Sequence, residues 1–405
     1  MKILVISQYF YPENFRVNDL CRELADRGHS VTVLTGYPQY PLGKIYDGYG
    51  FGIPYDKSWN GIRIERVKMK PRGKTPIGLI NNCYSFVREA NKWVRQCTEK
   101  YDVIYVFEVS PVTVGLPAVT YKEEFGTPII FNVQDLWPDN VEIVLGVKFK
   151  PLIKVLNNIV KKIYSASDYI LCSSQSFVEN IAERGVNRKK LYFWPQFCEM
   201  PSVDNMKKPA EYLDEYFNIV FAGNIGFAQG LDILIEAAEK LKNKNVRWYL
   251  VGDGRARESI EKKIRRKNLE EKVIFVGKIS EMKANEYVHF ADCAYLSFKD
   301  NKLFDMTIPA KLQTYLACGT PIVAAAGGES KRIIENAQCG LVSQRNSQDL
   351  CEAINRMMSL SQSDINRMRE NSEKYFNAYF SKEKVMKSFD VILEKIESDR
   401  IALIN

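Results

Sequence analysis

Three segments in the second half of the chain carry residues that can hold a phosphate. Gly223-Asn224-Ile225-Gly226-Phe227-Ala228-Gln229-Gly230 follows a short apolar run and precedes a helical pattern. Glycine lets the backbone approach an anion closely, and a helix start offers unpaired N–H groups and a positive dipole end. Gly252-Asp253-Gly254-Arg255 repeats the theme as half of a dinucleotide fingerprint, with Arg257 where the third glycine would stand; alone it is a weak signal. The third segment, Thr307 to Pro321, sets Pro309 at a predicted helix start, so the amides of Ala310, Lys311 and Leu312 become candidate donors. Lys311 adds a cation where lysine opposes the helix dipole, an unfavourable placement that points to an anionic ligand rather than to a solvated surface lysine.

The first half offers acids on loops after predicted strands. Asp135 and Glu13 are the candidates for taking a proton from a hydroxyl or orienting it, and Asp135 competes with a plain N-cap role. Glu108 stands after the run 103–107 and would either bind or cap the turn before Pro111. Arg16 is a candidate for an acceptor phosphate or a solvated helix residue, and Trp137 flanks Asp135.

Apolar runs at 3–6, 31–34, 62–67, 103–107, 128–133, 169–172 and 191–194 alternate with helical patterns, the rhythm of a parallel sheet. It breaks at 198–217 and restarts with runs at 219–222, 246–251, 273–276, 293–297 and 321–325. The reading is α/β: two doubly wound Rossmann-like domains with parallel sheets facing across a cleft. Their predicted bounds are 1–200, a linker 201–217, and 218–375. A helical segment 376–405 is expected to return to the first domain.

Composition narrows the class. At 405 residues with 46% hydrophobic and 26% charged, the chain is a two-domain globular protein. No secretory pattern opens it, and no apolar run reaches the ~18–20 residues of a membrane span. Nine cysteines without a C-x-x-C pair read as buried thiols in the cytoplasm, and two histidines are too few for a His-based metal site, so no metal is expected. The net charge of +8 is broken up by acids, which argues against nucleic acid. Lys148, Lys150, Lys154, Lys161 and Lys162, interleaved with apolar residues, read either as a basic amphipathic helix on an anionic membrane or as a core-packed helix with a solvated lysine face.

These residues, in this order, resemble glycosyltransferase family 4, the retaining GT-B enzymes, most specifically over 307–329 with its turn Gly327-Gly328-Glu329. The segments Tyr9–Glu13, Thr35–Gly43 and Asp135–Asp139 resemble the bacterial O-antigen and capsule subgroup that includes N-acetyl-L-fucosamine transferases. The resemblance implies a UDP-linked sugar as co-substrate, no metal or other cofactor, and a polyprenyl-diphosphate-linked acceptor at the inner membrane face. It implies donor contacts from Gly223, Asn224, Gln229, Arg255, Pro309 to Leu312, Thr314 and Glu329, with the base held by backbone near Lys278 and Ile279. The sequence departs from the pattern at five places. Asn224 and Gln229 replace the usual arginine and lysine, and Met306 and Thr314 fall near the paired glutamates. Lys311, Arg255 or Lys278 would supply the missing charge. The family's histidine position is near Gln134. A sugar-nucleotide epimerase and a non-catalytic sugar-binding protein are the competing readings.

Overall fold

The computed structural model describes all residues except 74, 145–148, 204 and 405. The chain divides into two compact units, Met1–Trp194 with Asp390–Asn405, and Pro195–Phe389.

The first unit is built on one sheet. Its strands are β1 (Lys2–Ile6), β2 (Ser30–Thr35), β3 (Ser58–Trp59), β4 (Ile62–Arg66), β5 (Val103–Glu108), β6 (Ile129–Val133), β7 (Tyr169–Cys172) and β8 (Leu191–Phe193). They lie in the order β3-β4-β2-β1-β5-β6-β7-β8, parallel throughout except where β3 meets β4. Strands β1, β5, β6 and β7 are buried on both faces, which is why they read as continuous apolar runs rather than alternating ones.

The second unit holds β9 (Phe217–Ala222), β10 (Val246–Val251), β11 (Val273–Gly277), β12 (Cys293–Ser297), β13 (Ile322–Ala325) and β14 (Gly340–Ser343). Their order is β11-β10-β9-β12-β13-β14, all parallel. Counted within the unit this is the 3-2-1-4-5-6 order of a dinucleotide-binding sheet, whose crevice opens beyond the carboxyl ends of the first and fourth strands. Trp248, Phe221 and Tyr295 fill the core beneath it.

Two details differ from the sequence reading. The expected linker 201–217 lies within the second unit, and Tyr212 is buried there against Tyr249 and Tyr287, its hydroxyl donating to the Tyr287 carbonyl at 2.7 Å. A proline- and lysine-rich stretch masked that anchor. The helical tail is two helices, Gln362–Tyr379 and Lys382–Ile404, and the last 16 residues belong to the first unit, where Arg27 pairs with Asp390 at 2.5 Å.

Candidate functional site

In the second unit, β9 and β10 end in glycines that let two loops touch. A Cβ on Gly252 would sit 2.0 Å from the Gly223 carbonyl oxygen, and one on Gly254 2.4 Å from that of Ile225. The Gly252–Gly254 turn therefore packs against the first loop, and its glycines are spent on that approach. Gly223 adopts φ +133°, open only to glycine at low cost, and lies exposed beside the Lys311 side chain.

Lys311 is the centre of the arrangement. Its Nζ donates to Gln229 Oε1 and lies 4.0 Å from the Phe221 ring centroid and 5.6 Å from that of Phe298. Burial alone drives its pKa down from 10.5 to about 7, with no carboxylate opposing the fall. Gln229 is itself fixed, since its carbonyl accepts from Ser297 Oγ at 2.7 Å. A part-buried, desolvated ammonium supported by a neutral amide and two ring faces is a half-complete ion pair. The side chain of position 311 thus delivers its charge next to Gln229, the position where the family places a lysine. Phe221 and Phe298 were missed from sequence because a strand phenylalanine and the residue just past β12 look like ordinary core.

The helix behind Lys311 is Ala310–Ala317, with Pro309 at the N-cap rather than inside the first turn. The Leu312 amide already bonds the Pro309 carbonyl at 3.0 Å, and the Leu312 side chain is fully buried, so Leu312 is not a donor contact. Ala310 remains exposed at this end. The Thr314 hydroxyl bonds Ala310 of its own helix at 3.3 Å. Glu329, expected at the donor, has 1% of its surface exposed and is ion-paired with Arg332; that expectation is corrected, because a buried, paired carboxylate has no face for a ribose. Asn224, Arg255 and Lys278 are exposed on the loops after β9, β10 and β11, and Ile279 is half-buried; Arg255 and Lys278 make no ion pair among the described residues.

In the first unit, Asp135 is half-exposed and held by Ser110, whose N–H and Oγ–H reach its Oδ2 at 3.1 and 2.6 Å. Beneath it, fully buried Glu108 accepts the amides of Gln134 (3.2 Å) and Asp135 (3.1 Å) through Oε2. Desolvation, then the neighbouring Asp135 charge, pushes the Glu108 pKa well above the carboxylate range, against the pull of those amides and the Trp137 indole. Glu108 is a buried carboxylic acid that fixes the Asp135 loop, which corrects its expected acceptor contact. Trp137 is likewise buried, 9% exposed, and packs this loop rather than offering a platform.

Glu13 is corrected for the same reason. Its two oxygens accept the amides of Gln39 (2.8 Å), Tyr40 (2.7 Å) and Phe10 (3.2 Å), tying two loops together with 2% exposure. No face is left for an acceptor hydroxyl, and burial raises its pKa. Arg16 is exposed and pairs with Asp19 one turn along its own helix at 3.8 Å. Lys148 of the basic cluster lies outside the described residues. The helix Lys150–Ala166 buries Leu156, Val160, Ile163 and Tyr164, while Phe149 and Val155 stay exposed beside Lys150 and Lys154. Among the described residues no cluster of His, Cys, Asp and Glu has metal-binding geometry, and no helix is long and apolar enough to cross a membrane.

Comparison with known proteins decides the class. The description "Glycosyltransferase Family 4" matches residues 14–199, and "Glycosyl transferases group 1" matches residues 216–359. This chain is a glycosyltransferase of GT-B type. WcaI of Escherichia coli (strain K12), named as a glycosyl transferase of colanic acid biosynthesis, is 23% identical over 80% of this chain and 83% of its own. Sucrose-phosphate synthase from Thermosynechococcus elongatus superposes with a TM-score of 0.74 at 18% identity, over 98% of this chain and 99% of that one. Anabaena HepE, solved in complex with UDP, gives 0.69 at 16% identity, over 98% and 100%. This glycosyltransferase is thus similar to bacterial polysaccharide-building transferases, and the two α/β units share the fold of the solved structures.

Proposed function

We propose that this glycosyltransferase moves a sugar, with retention and without a metal, from a UDP-linked donor to a polyprenyl-diphosphate-linked saccharide at the cytoplasmic membrane face. The class of polymer is a bacterial surface polysaccharide, O-antigen or capsule, and the sugar an N-acetylated deoxyhexosamine such as L-FucNAc. The Lys311 ammonium carries the reading: a desolvated cation with no carboxylate, at the crevice of a dinucleotide-type sheet, is completed by a diphosphate. The HepE complex with UDP supports the donor class, and the WcaI likeness supports the polymer.

The chain's own residues divide the work. As the bond from the sugar's anomeric carbon to the diphosphate oxygen breaks, negative charge grows on the leaving group, and Lys311 with the amide of Ala310 stabilises it. The acceptor oxygen bonds the same carbon and gives up its proton, and within the first unit Asp135, whose carboxylate Ser110 holds on the Glu108-fixed loop, is the group suited to accept one. Purified protein is incubated with UDP-, GDP- and ADP-sugars, and binding is read by native mass spectrometry and donor cleavage by nucleotide release. UDP-sugar binding is expected; no nucleotide binding across the panel would overturn the proposal.

A further inference from the structure

Residues 66–88 contain Arg66, Lys68, Lys70, Arg72, Lys74 and Arg88 without a single acid. Within this stretch the helix Pro76–Gln96 begins, capped by Thr75, whose Oγ1 accepts the Gly78 amide at 3.0 Å. Its core side is set by Phe86, Ala90 and Val94, all fully buried and four residues apart. Ile77, Ile80 and Tyr84, at i, i+3 and i+7, form a second apolar stripe. At ~100° per residue it lies about 113° around the helix from the first. Those three side chains are 72%, 60% and 67% exposed.

Neighbouring elements extend the stripe. The Gly73 amide bonds the Gly43 carbonyl at 2.9 Å, bringing exposed Leu42 to the helix start. Lys68 Nζ lies 3.4 Å from the ring centroid of exposed Phe51, and Lys70, also exposed, is bonded through its amide to Ser85 at 2.8 Å. Large apolar side chains held outward among cations are costly to leave in water, and this pattern suits an interface that is apolar beneath and anionic above.

We infer that the surface formed by Ile77, Ile80, Tyr84 and Leu42 with Lys68 and Lys70 docks on an anionic lipid bilayer. This rests on the lipid-linked acceptor proposed above and locates it. The helix follows β4, so its start lies beyond the same carboxyl sheet edge as Asp135, which follows β6. Four strand spacings separate β4 from β6 in the sheet, about 19 Å at ~4.8 Å each. A bilayer held there presents its headgroup zone to the Asp135 loop. The cations meet anionic headgroups, and the apolar stripe enters the acyl boundary. At the helix Lys150–Ala166 the outward apolar side chains are fewer, Phe149 and Val155, and Leu156, Val160, Ile163 and Tyr164 are buried.

The test is sedimentation of the full chain with vesicles of phosphatidylglycerol and phosphatidylcholine, or of phosphatidylcholine alone. UDP binding and melting temperature are measured on every sample. The wild type is expected to pellet with the anionic vesicles only. The triple substitution Ile77→Ser, Ile80→Ser, Tyr84→Ser should lower the bound fraction at least tenfold with unchanged melting and UDP binding. Lys68→Ser with Lys70→Ser should lower it severalfold and remove its salt dependence. The inference is overturned if the wild type does not pellet, or if the triple variant pellets like wild type. It is equally overturned if Lys150→Ser with Lys154→Ser alone abolishes binding, or if the triple variant changes only self-association by light scattering. Loss of UDP binding in the wild type would instead count against the proposed donor chemistry.

Discussion

The two units use charge in opposite ways. In the second, a cation is desolvated among neutral partners and its missing counter-charge is left for a ligand. In the first, backbone amides pin the buried carboxyl groups, three on Glu13 and two on Oε2 of the Glu108 acid, and of these three candidate acids Asp135 alone is partly open to solvent. A carboxyl group that backbone amides pin in place is scaffold; a cation that the fold desolvates and leaves without a counter-charge is a binding site. That difference ranks candidates which the sequence had placed side by side.

Breaking the open carboxylate is expected to have the largest effect. Asp135→Asn should lower transfer by roughly 10²–10⁴-fold while UDP binding stays within twofold, measured as kcat with saturating donor against titration of UDP. Loss of UDP binding instead would assign Asp135 to scaffold, beside Glu13.

Removing the cation comes next. Lys311→Met should lower kcat/KM for the donor by roughly 10²–10³-fold. It should leave the free protein equally or more stable, because relief of a desolvated charge is neutral or favourable by about 1–4 kcal/mol. The pH dependence sharpens this. The folded ammonium titrates at about 7 and the unfolded one near 10.5, so the unfolded chain binds the extra proton between those values. This group's contribution to stability therefore rises with pH across that window. Donor binding restores the proton, so UDP affinity should fall by up to tenfold per unit as pH climbs above 7. Calorimetry in buffers of different ionisation enthalpy checks the uptake, and Lys311→Met should show neither it nor the slope.

The smallest effect separates charge from oxygen at the scaffold. Glu108→Gln keeps an oxygen for the Gln134 and Asp135 amides and should melt within a few degrees of wild type. Glu108→Ala leaves the Asp135 amide unpaired, while the Gln134 amide keeps the residue-108 carbonyl at 3.1 Å, and should cost about 1–3 kcal/mol in chemical denaturation. Equal behaviour of the two variants would show that Glu108 does not hold the Asp135 loop.

Local chemistry settled what a short window of sequence can settle. Apolar runs between helical patterns gave away the parallel sheets, because strands covered on both faces must be apolar throughout. The short β3 and β14 escaped, being two and four residues with only partial burial. Lys311 stood out by an awkward position on a helix start, and the loop glycines by composition. Only the folded chain could say which acid is satisfied, because that depends on amides 26 and 27 residues away for Glu13 and Glu108. It alone put Gln229 and Phe298 around Lys311, and it alone turned one face of the helix after Thr75 outward. Burial and hydrogen-bond completion are properties of what surrounds a side chain, and residues distant in sequence supply those surroundings.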